Sequence, residues 1–148
     1  MALRPSIFQH VWSLLLDLAE AAVLPNRCLE LAPVTASSLN RRTYCVSHHA
    51  PTLAIQRVSE EGVDRPLECE NRPALDDVDK LAVQYAIAVT NKWNRTGDET
   101  LDRLNRRFTE AQIVELTWRT VRSGAFNRFN DILQLDIEQG VAMRDGAE

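Results

Sequence analysis

The sequence predicts an all-α fold, and three observations predict it. Glycine is scarce, five residues in 148. No stretch alternates apolar and polar residues for long, as a half-buried strand would. Apolar residues instead recur every three or four positions, the spacing of one helix face.

The first helix is expected from about Ser6 to Ala22, where Ile7, Val11, Leu14, Leu15 and Leu18 share a face. Ser6, after Pro5, is the candidate N-cap, and Leu24-Pro25 ends the element. Asn26 is placed to cap a second helix carrying Cys28, Leu29, Leu31, Val34 and Thr35. Pro33 lies inside it and removes one backbone hydrogen bond, which predicts a kink or an early irregularity. A third helix should begin near Arg42 or Thr43 and reach about Arg57, holding Tyr44, Cys45, His48 and His49. Pro51 clashes there with the carbonyl of Ser47, so the helix should bend just after the histidines.

Val58 to Asp77 is rich in charge and punctuated by Gly62, Pro66 and Pro73, which predicts a loop with one short helical turn after Ser59. A helix from about Leu75 to Thr90 follows, with Val78, Leu81, Ala82, Tyr85, Ala86 and Val89 on one stripe. Asn91–Gly97 is a connector holding Trp93, and Asp98 is placed to cap a short helix through Arg107. Thr109 and Gln112 form a capping-box pattern at the head of the last long helix. Its expected apolar face is Ile113, Leu116, Thr117, Thr120, Val121, Gly124, Phe129 and Ile132. A glycine inside a helix costs about 1 kcal/mol relative to alanine, so Gly124 is read as a site of close helix packing.

Length favours one domain over residues 1–148, with a frayed polar tail at 140–148. Hydrophobic residues make up 45% of the chain, enough for a core, and the formal net charge is −4. Mixed, mildly acidic charge argues against nucleic acid or an anionic membrane as the partner. Cys28, Cys45 and Cys69 are an odd number, which points to a reducing, cytoplasmic setting in which a cysteine is core filler or reactive. Leu14–Leu16 begins an apolar run that Asp17 and Glu20 interrupt, with no cleavage site after it, so secretion is not expected. No apolar run approaches the roughly 20 residues that span a bilayer.

The chemistry points to Cys45 and His49. They are four apart on a predicted helix and therefore share a face. An imidazole beside a thiol yields thiolate near neutral pH, and the thiolate is the form that attacks a peroxide or disulfide. The positive end of the helix dipole favours the same anion. His48 borders this face, and an acidic group can stand behind His49 as orienting partner or base.

Glu30, eleven residues, Arg42, two residues, Cys45, three residues, His49 reproduces the spacing of a known motif: Glu, eleven residues, Cys, two residues, Cys, three residues, His. That motif belongs to the carboxymuconolactone decarboxylase / alkylhydroperoxidase D-like family, which the chain resembles. Tyr44-Cys45-Val46-Ser47-His48-His49 is also similar to the family's text, and Leu24-Pro25 with Arg27, Leu29, Glu30 and Leu31 resembles the helix leading to its glutamate. Phe108–Thr117 resembles its last long helix and Asn127–Asn130 its closing segment, so the likeness spans most of residues 5–140.

The resemblance implies an all-helical domain of six to seven helices that assembles as a homo-oligomer (dimer, trimer or hexamer). It implies a thiol peroxidase in which Cys45 attacks a hydroperoxide while His49 and Glu30 relay protons. Arg42 departs from the pattern, because it stands where the family has its first, resolving cysteine. No Cys-x-x-Cys disulfide can form, so turnover needs Cys28, Cys69, a partner protein or a small external thiol. Arg42 still favours a thiolate at Cys45 through its fixed charge. The family's decarboxylase branch works without the cysteine pair. A lyase acting on a small carboxylated lactone through His49 is therefore the second reading, and a non-catalytic oligomeric member the third.

Each residue also has a plainer reading. Cys45 taken alone reads as a small buried hydrophobe, and the spacing to Glu30 and His49 turns the balance toward a reactive thiol. His48 reads as a packing or hydrogen-bonding residue, and Tyr44 and Trp118 as core or interface aromatics, with His48, Arg42 and Tyr44 the supporting candidates around Cys45. Cys28 and Cys69 read as structural, and Arg103, Arg106 and Arg107 as a solvated helix face. A zinc site of Cys45, His48, His49 and Glu30 is set aside because adjacent helical residues point about 100° apart. No haem, flavin or nucleotide motif is visible, and no cofactor or metal is expected.

Overall fold

The computed structural model describes residues 4–41, 66–91 and 97–134, together with Thr52. Those residues form five α-helices and one 3-10 helix, with no strand among them. The helices are α1 (Pro5–Glu20), α2 (Asn26–Leu39), α3 (Asp77–Asn91), α4 (Asp98–Asn105) and α5 (Glu110–Ile132), and the 3-10 helix is Pro66–Asn71.

Three helix starts differ from the sequence expectation for the same reason: the cap lies one or two residues earlier. Arg4, not Ser6, caps α1, with Pro5 in the first turn. Proline fits there because its missing N–H has no helical partner to lose. Pro25, not Asn26, caps α2, and Gly97, not Asp98, caps α4. At α3, Asp76 Oδ1 accepts the Val78 and Asp79 N–H groups at 2.9 and 2.8 Å, and Asp79 accepts the Asp76 N–H in return. That is an aspartate version of the capping box. The box predicted at α5 is present, with Thr109 and Gln112 each satisfying the other's backbone N–H.

Pro33 does not break α2, which is continuous from Asn26 to Leu39. The bond lost to the Leu29 carbonyl is offset by complete burial of the proline. Residues expected as loop, 66–71, instead form the 3-10 helix, whose Cys69 joins Leu31, Val34, Leu75 and Val83 in an apolar cluster.

The main core lies where α2, α3 and α5 meet. Cys28 and Ala32 from α2, Leu81, Ala82, Tyr85 and Ala86 from α3, Leu104 and Phe108 around α4, and Leu116 from α5 are buried together with Leu24. The stripe read for α3 is the one that is buried. α2 and α5 run in the same direction, since Leu24 pairs with Glu115, Pro33 with Ser123 and Ser37 with Asn127. α3 runs alongside in the same sense: Arg27 of α2 bonds Asp79 at 2.8 Å near both helix starts, and both C-terminal ends reach one cavity.

α1 stands apart energetically, because none of its residues is buried. Phe8 and Trp12 stack on each other on its outer side, ring centroids 5.9 Å apart. Val11, Leu15 and Leu18 are half-buried, and polar bonds tie the end of the helix to α5. Arg119 of α5 donates to the Leu18 carbonyl at 3.3 Å, and Glu115 accepts from the Val23 and Leu24 N–H groups just beyond the helix. No helix among the described residues is long and apolar enough to cross a membrane.

Candidate functional site

Of the candidate site residues Glu30, Arg42, Tyr44, Cys45, His48 and His49, Glu30 alone is among the described ones. Arg42, Tyr44, Cys45, His48 and His49 lie outside the described residues, as do the predicted bend at Pro51, the connector around Trp93 and the tail. The described residues form the frame around Glu30 and the helix end leading to that segment.

Glu30 sits one turn into α2 and is half-buried. Across from it is Arg122 of α5. Burial pushes the Arg122 guanidinium's pKa down, the nearby Arg119 cation does the same, and the Glu30 carboxylate opposes both. A guanidinium keeps its proton through shifts of this kind, so Glu30 faces a permanent cation. One turn earlier on α5, Glu115 and Arg119 form a buried pair at 2.8 Å. Burial pushes the Glu115 carboxyl up, but hydrogen bonds from the Val23 N–H, Arg119 and the Leu24 N–H outweigh it and leave the pKa below its ordinary value. Two carboxylates and two guanidiniums thus line the start of the α2–α5 contact.

Further along the same contact the polar groups are neutral. Ser123 donates to the Pro33 carbonyl at 3.0 Å, Ser37 stands 3.0 Å from Ser123, and Asn127 donates to Ser37 at 3.3 Å. All three side chains are buried. With Ser123 donating to Pro33, Ser37 donates to Ser123 and accepts from Asn127, so each hydroxyl proton has one destination. The seam ends at Asn40, the residue that closes α2. Arg41 then adopts a left-handed conformation, φ 57°, and turns the chain immediately before Arg42.

The remaining cysteines are poorly suited to redox chemistry. Cys28 is fully buried, and burial followed by the Asp79 and Asp76 charges pushes its thiol up to about 12. Burial, then Glu70, also raises Cys69. Both are free thiols inside apolar clusters, in keeping with the structural reading.

α5 is where the sequence reading needed correction. Leu116, Thr120 and Gly124 are buried as expected, but Val121 is half exposed and Ile132 is 79% exposed. The buried face carries Glu115, Arg119, Ser123 and Asn127 instead. Their partners lie about 90 residues away, so a periodicity of apolar residues has no access to them. One signal was available: Glu115 and Arg119 are four apart with acid first, the favourable order for a helical ion pair. Gly124 is not a point of tight helix contact. A Cβ there would meet Arg128 and Asn40 at 3.8 and 3.9 Å, ordinary contact distances.

The chain matches no protein-family model and no curated protein.

Proposed function

We propose that this protein is a thiol-dependent peroxidase of the alkylhydroperoxidase D-like kind, with Cys45 as the attacking thiolate and His49 and Glu30 as the proton relay. The observation that carries the reading is the motif spacing from Glu30 to His49, set in an all-α chain whose Glu30 helix ends in a turn directly before the motif's second half. In the first step the Cys45 thiolate attacks the outer oxygen of a hydroperoxide. The O–O bond breaks, the alkoxide takes a proton through His49 and leaves as an alcohol, and Cys45 becomes a sulfenic acid.

Reduction requires a second thiol. Cys28 and Cys69 are buried with raised pKa values, and Arg42 stands in the resolving position, so the reading assigns this step to an external thiol. One such thiol displaces water from the sulfenic acid to give a mixed disulfide. A second releases Cys45 and leaves the oxidised thiol as a disulfide. The expected assembly is a homo-oligomer. In support, Phe8, Trp12 and Leu16 of α1 and Val114, Trp118 and Val121 of α5 are exposed large apolar side chains.

Arg42 also favours a second reading, a lyase that uses His49 on a small carboxylated lactone. Steady-state turnover separates the two. The peroxidase reading expects Cys45→Ser to lose thiol-driven consumption of cumene hydroperoxide and Glu30→Gln to slow it. It fails if Cys45→Ser matches the parent. Retained lactone turnover in Cys45→Ser, with loss in His49→Ala, establishes the lyase.

A further inference from the structure

The inner face of α5 is packed against α2 and α3, and its outer face is open. Ala111, Val114, Trp118, Val121, Ala125 and Arg128 are all exposed, Val114 by 68% and Trp118 by 40%. Their spacing alternates three and four residues, and Ile132, also exposed, continues it. This is the seven-residue repeat of a seam along which one helix packs on another. A straight helix drifts by only about 20° per heptad against that repeat, so the series stays on one side of α5. Exposed apolar residues scattered singly need no explanation, but these are ordered along a whole helix.

The series is complementary to itself when read in reverse. A second α5 can be laid antiparallel about a two-fold axis midway between Trp118 and Val121. Trp118 then falls opposite the partner's Val121, and Val114 opposite the partner's Ala125. Arg128 falls opposite the partner's Ala111, whose methyl leaves room for the arginine stem. Each pairing occurs twice, as two-fold symmetry requires.

Charge favours the same direction. The partner's Glu110 comes beside Arg128, which is exposed and swings to it from its place beside Gly124. The partner's Glu110 also comes near Asp131, and Arg128 between the two acids compensates them. A parallel pairing would instead set Arg128 on the partner's Arg128 and Glu110 on the partner's Glu110. Antiparallel axes also bring the positive end of each helix dipole to the negative end of the other.

We infer that α5 pairs antiparallel with α5 of a second copy through this seam. The pairing gives the expected homo-oligomer a helix, a direction and a register. It does not rest on the thiol chemistry, and it is measured without turnover. The two seams together cover roughly 1,000 Å², the low end of specific interfaces, so the dimer should dissociate on dilution.

Sedimentation of the full chain from low to high micromolar concentration reads the assembly. A reversible dimer is expected. Val121→Asp, checked for native circular dichroism, should raise its Kd at least about tenfold, because it places a charge at the centre of the seam. Ile132→Ser should leave the Kd unchanged, because Ile132 lies beyond the overlap of the two helices. Arg128→Glu should weaken the dimer, and Glu110→Arg added to it should restore the affinity. Direction is read by cross-linking in a Cys45→Ser background. Val114→Cys with Ala125→Cys should give an intermolecular disulfide on mild oxidation. Val114→Cys alone should not, since the two copies of position 114 stand about 16 Å apart along the axis. A monomer throughout the range overturns the proposal, as does an assembly of any size that Val121→Asp leaves intact. Efficient cross-linking by Val114→Cys alone, or failure of the charge swap to restore affinity, overturns it as well.

Discussion

Replacing Glu115 by alanine removes the group that ties α5 to the chain between α1 and α2. Its Oε2 accepts the Val23 and Leu24 N–H groups at 2.9 and 3.1 Å, and its Oε1 holds Arg119 at 2.8 Å. The variant leaves two backbone donors without an acceptor, each costing about 1–3 kcal/mol if water cannot reach it. It also leaves Arg119, whose side chain is 11% exposed, as an uncompensated cation. Breaking one half of a buried pair costs about 3–5 kcal/mol. These penalties share one site and do not add, so the expected total is about 4 kcal/mol, a large part of the ~5–15 kcal/mol that holds a typical domain together. Urea unfolding followed by circular dichroism measures it, and Tm should fall by roughly 10 °C.

The pH dependence adds a second check. The folded pKa of Glu115 lies below its ordinary 4.5, so its contribution is present above that pH and is lost as pH falls through the folded value. The gap between parent and Glu115→Ala should therefore narrow below about pH 4.5. Asp79 has the opposite sign. Burial raises its pKa above 3.8 despite the Asp76 N–H and Arg27, so its contribution is present below 3.8 and is lost as pH rises through the folded value. Asp79 is common to both proteins and cancels in the comparison. A loss under 1 kcal/mol at pH 7, or a gap that widens in acid, would refute the role given to Glu115.

Three further outcomes are expected. Cys28, pushed up to about 12, should resist iodoacetamide at pH 8 in the folded protein and react only after unfolding, as read by peptide mass spectrometry. Ser123→Ala leaves the Pro33 carbonyl and the Ser37 hydroxyl short of a partner, and should cost about 1–2 kcal/mol in chemical denaturation. Gly124→Ala should raise stability by about 0.5–1 kcal/mol in the same assay, because the new methyl meets only ordinary contacts and alanine is the better helix former.

Local signals in the sequence were sufficient for much of this fold. The α3 stripe and the Thr109–Gln112 box depend on residues three or four apart, and both are found as read. Cap positions slipped because proline and glycine took the place of side-chain caps at α2 and α4. The polar seam was invisible because Ser37, Ser123 and Asn127 meet only once two parallel helices are side by side. An exposed α1 was equally illegible: its spacing predicts an amphipathic helix and says nothing of what covers it. For the candidate site, the sequence supplies a spacing, and the structure adds Arg122 opposite Glu30 and the turn at Arg41.

The central claim is that Cys45 is the sulfur that reduces a hydroperoxide. The direct measurement treats the reduced protein with one equivalent of cumene hydroperoxide in the presence of dimedone and locates the adduct by peptide mass spectrometry. The account predicts a dimedone adduct on Cys45, none on Cys28 or Cys69, and one cumyl alcohol formed per adduct. Unmodified Cys45 with the hydroperoxide unconsumed, or an adduct on either buried cysteine instead, would contradict it.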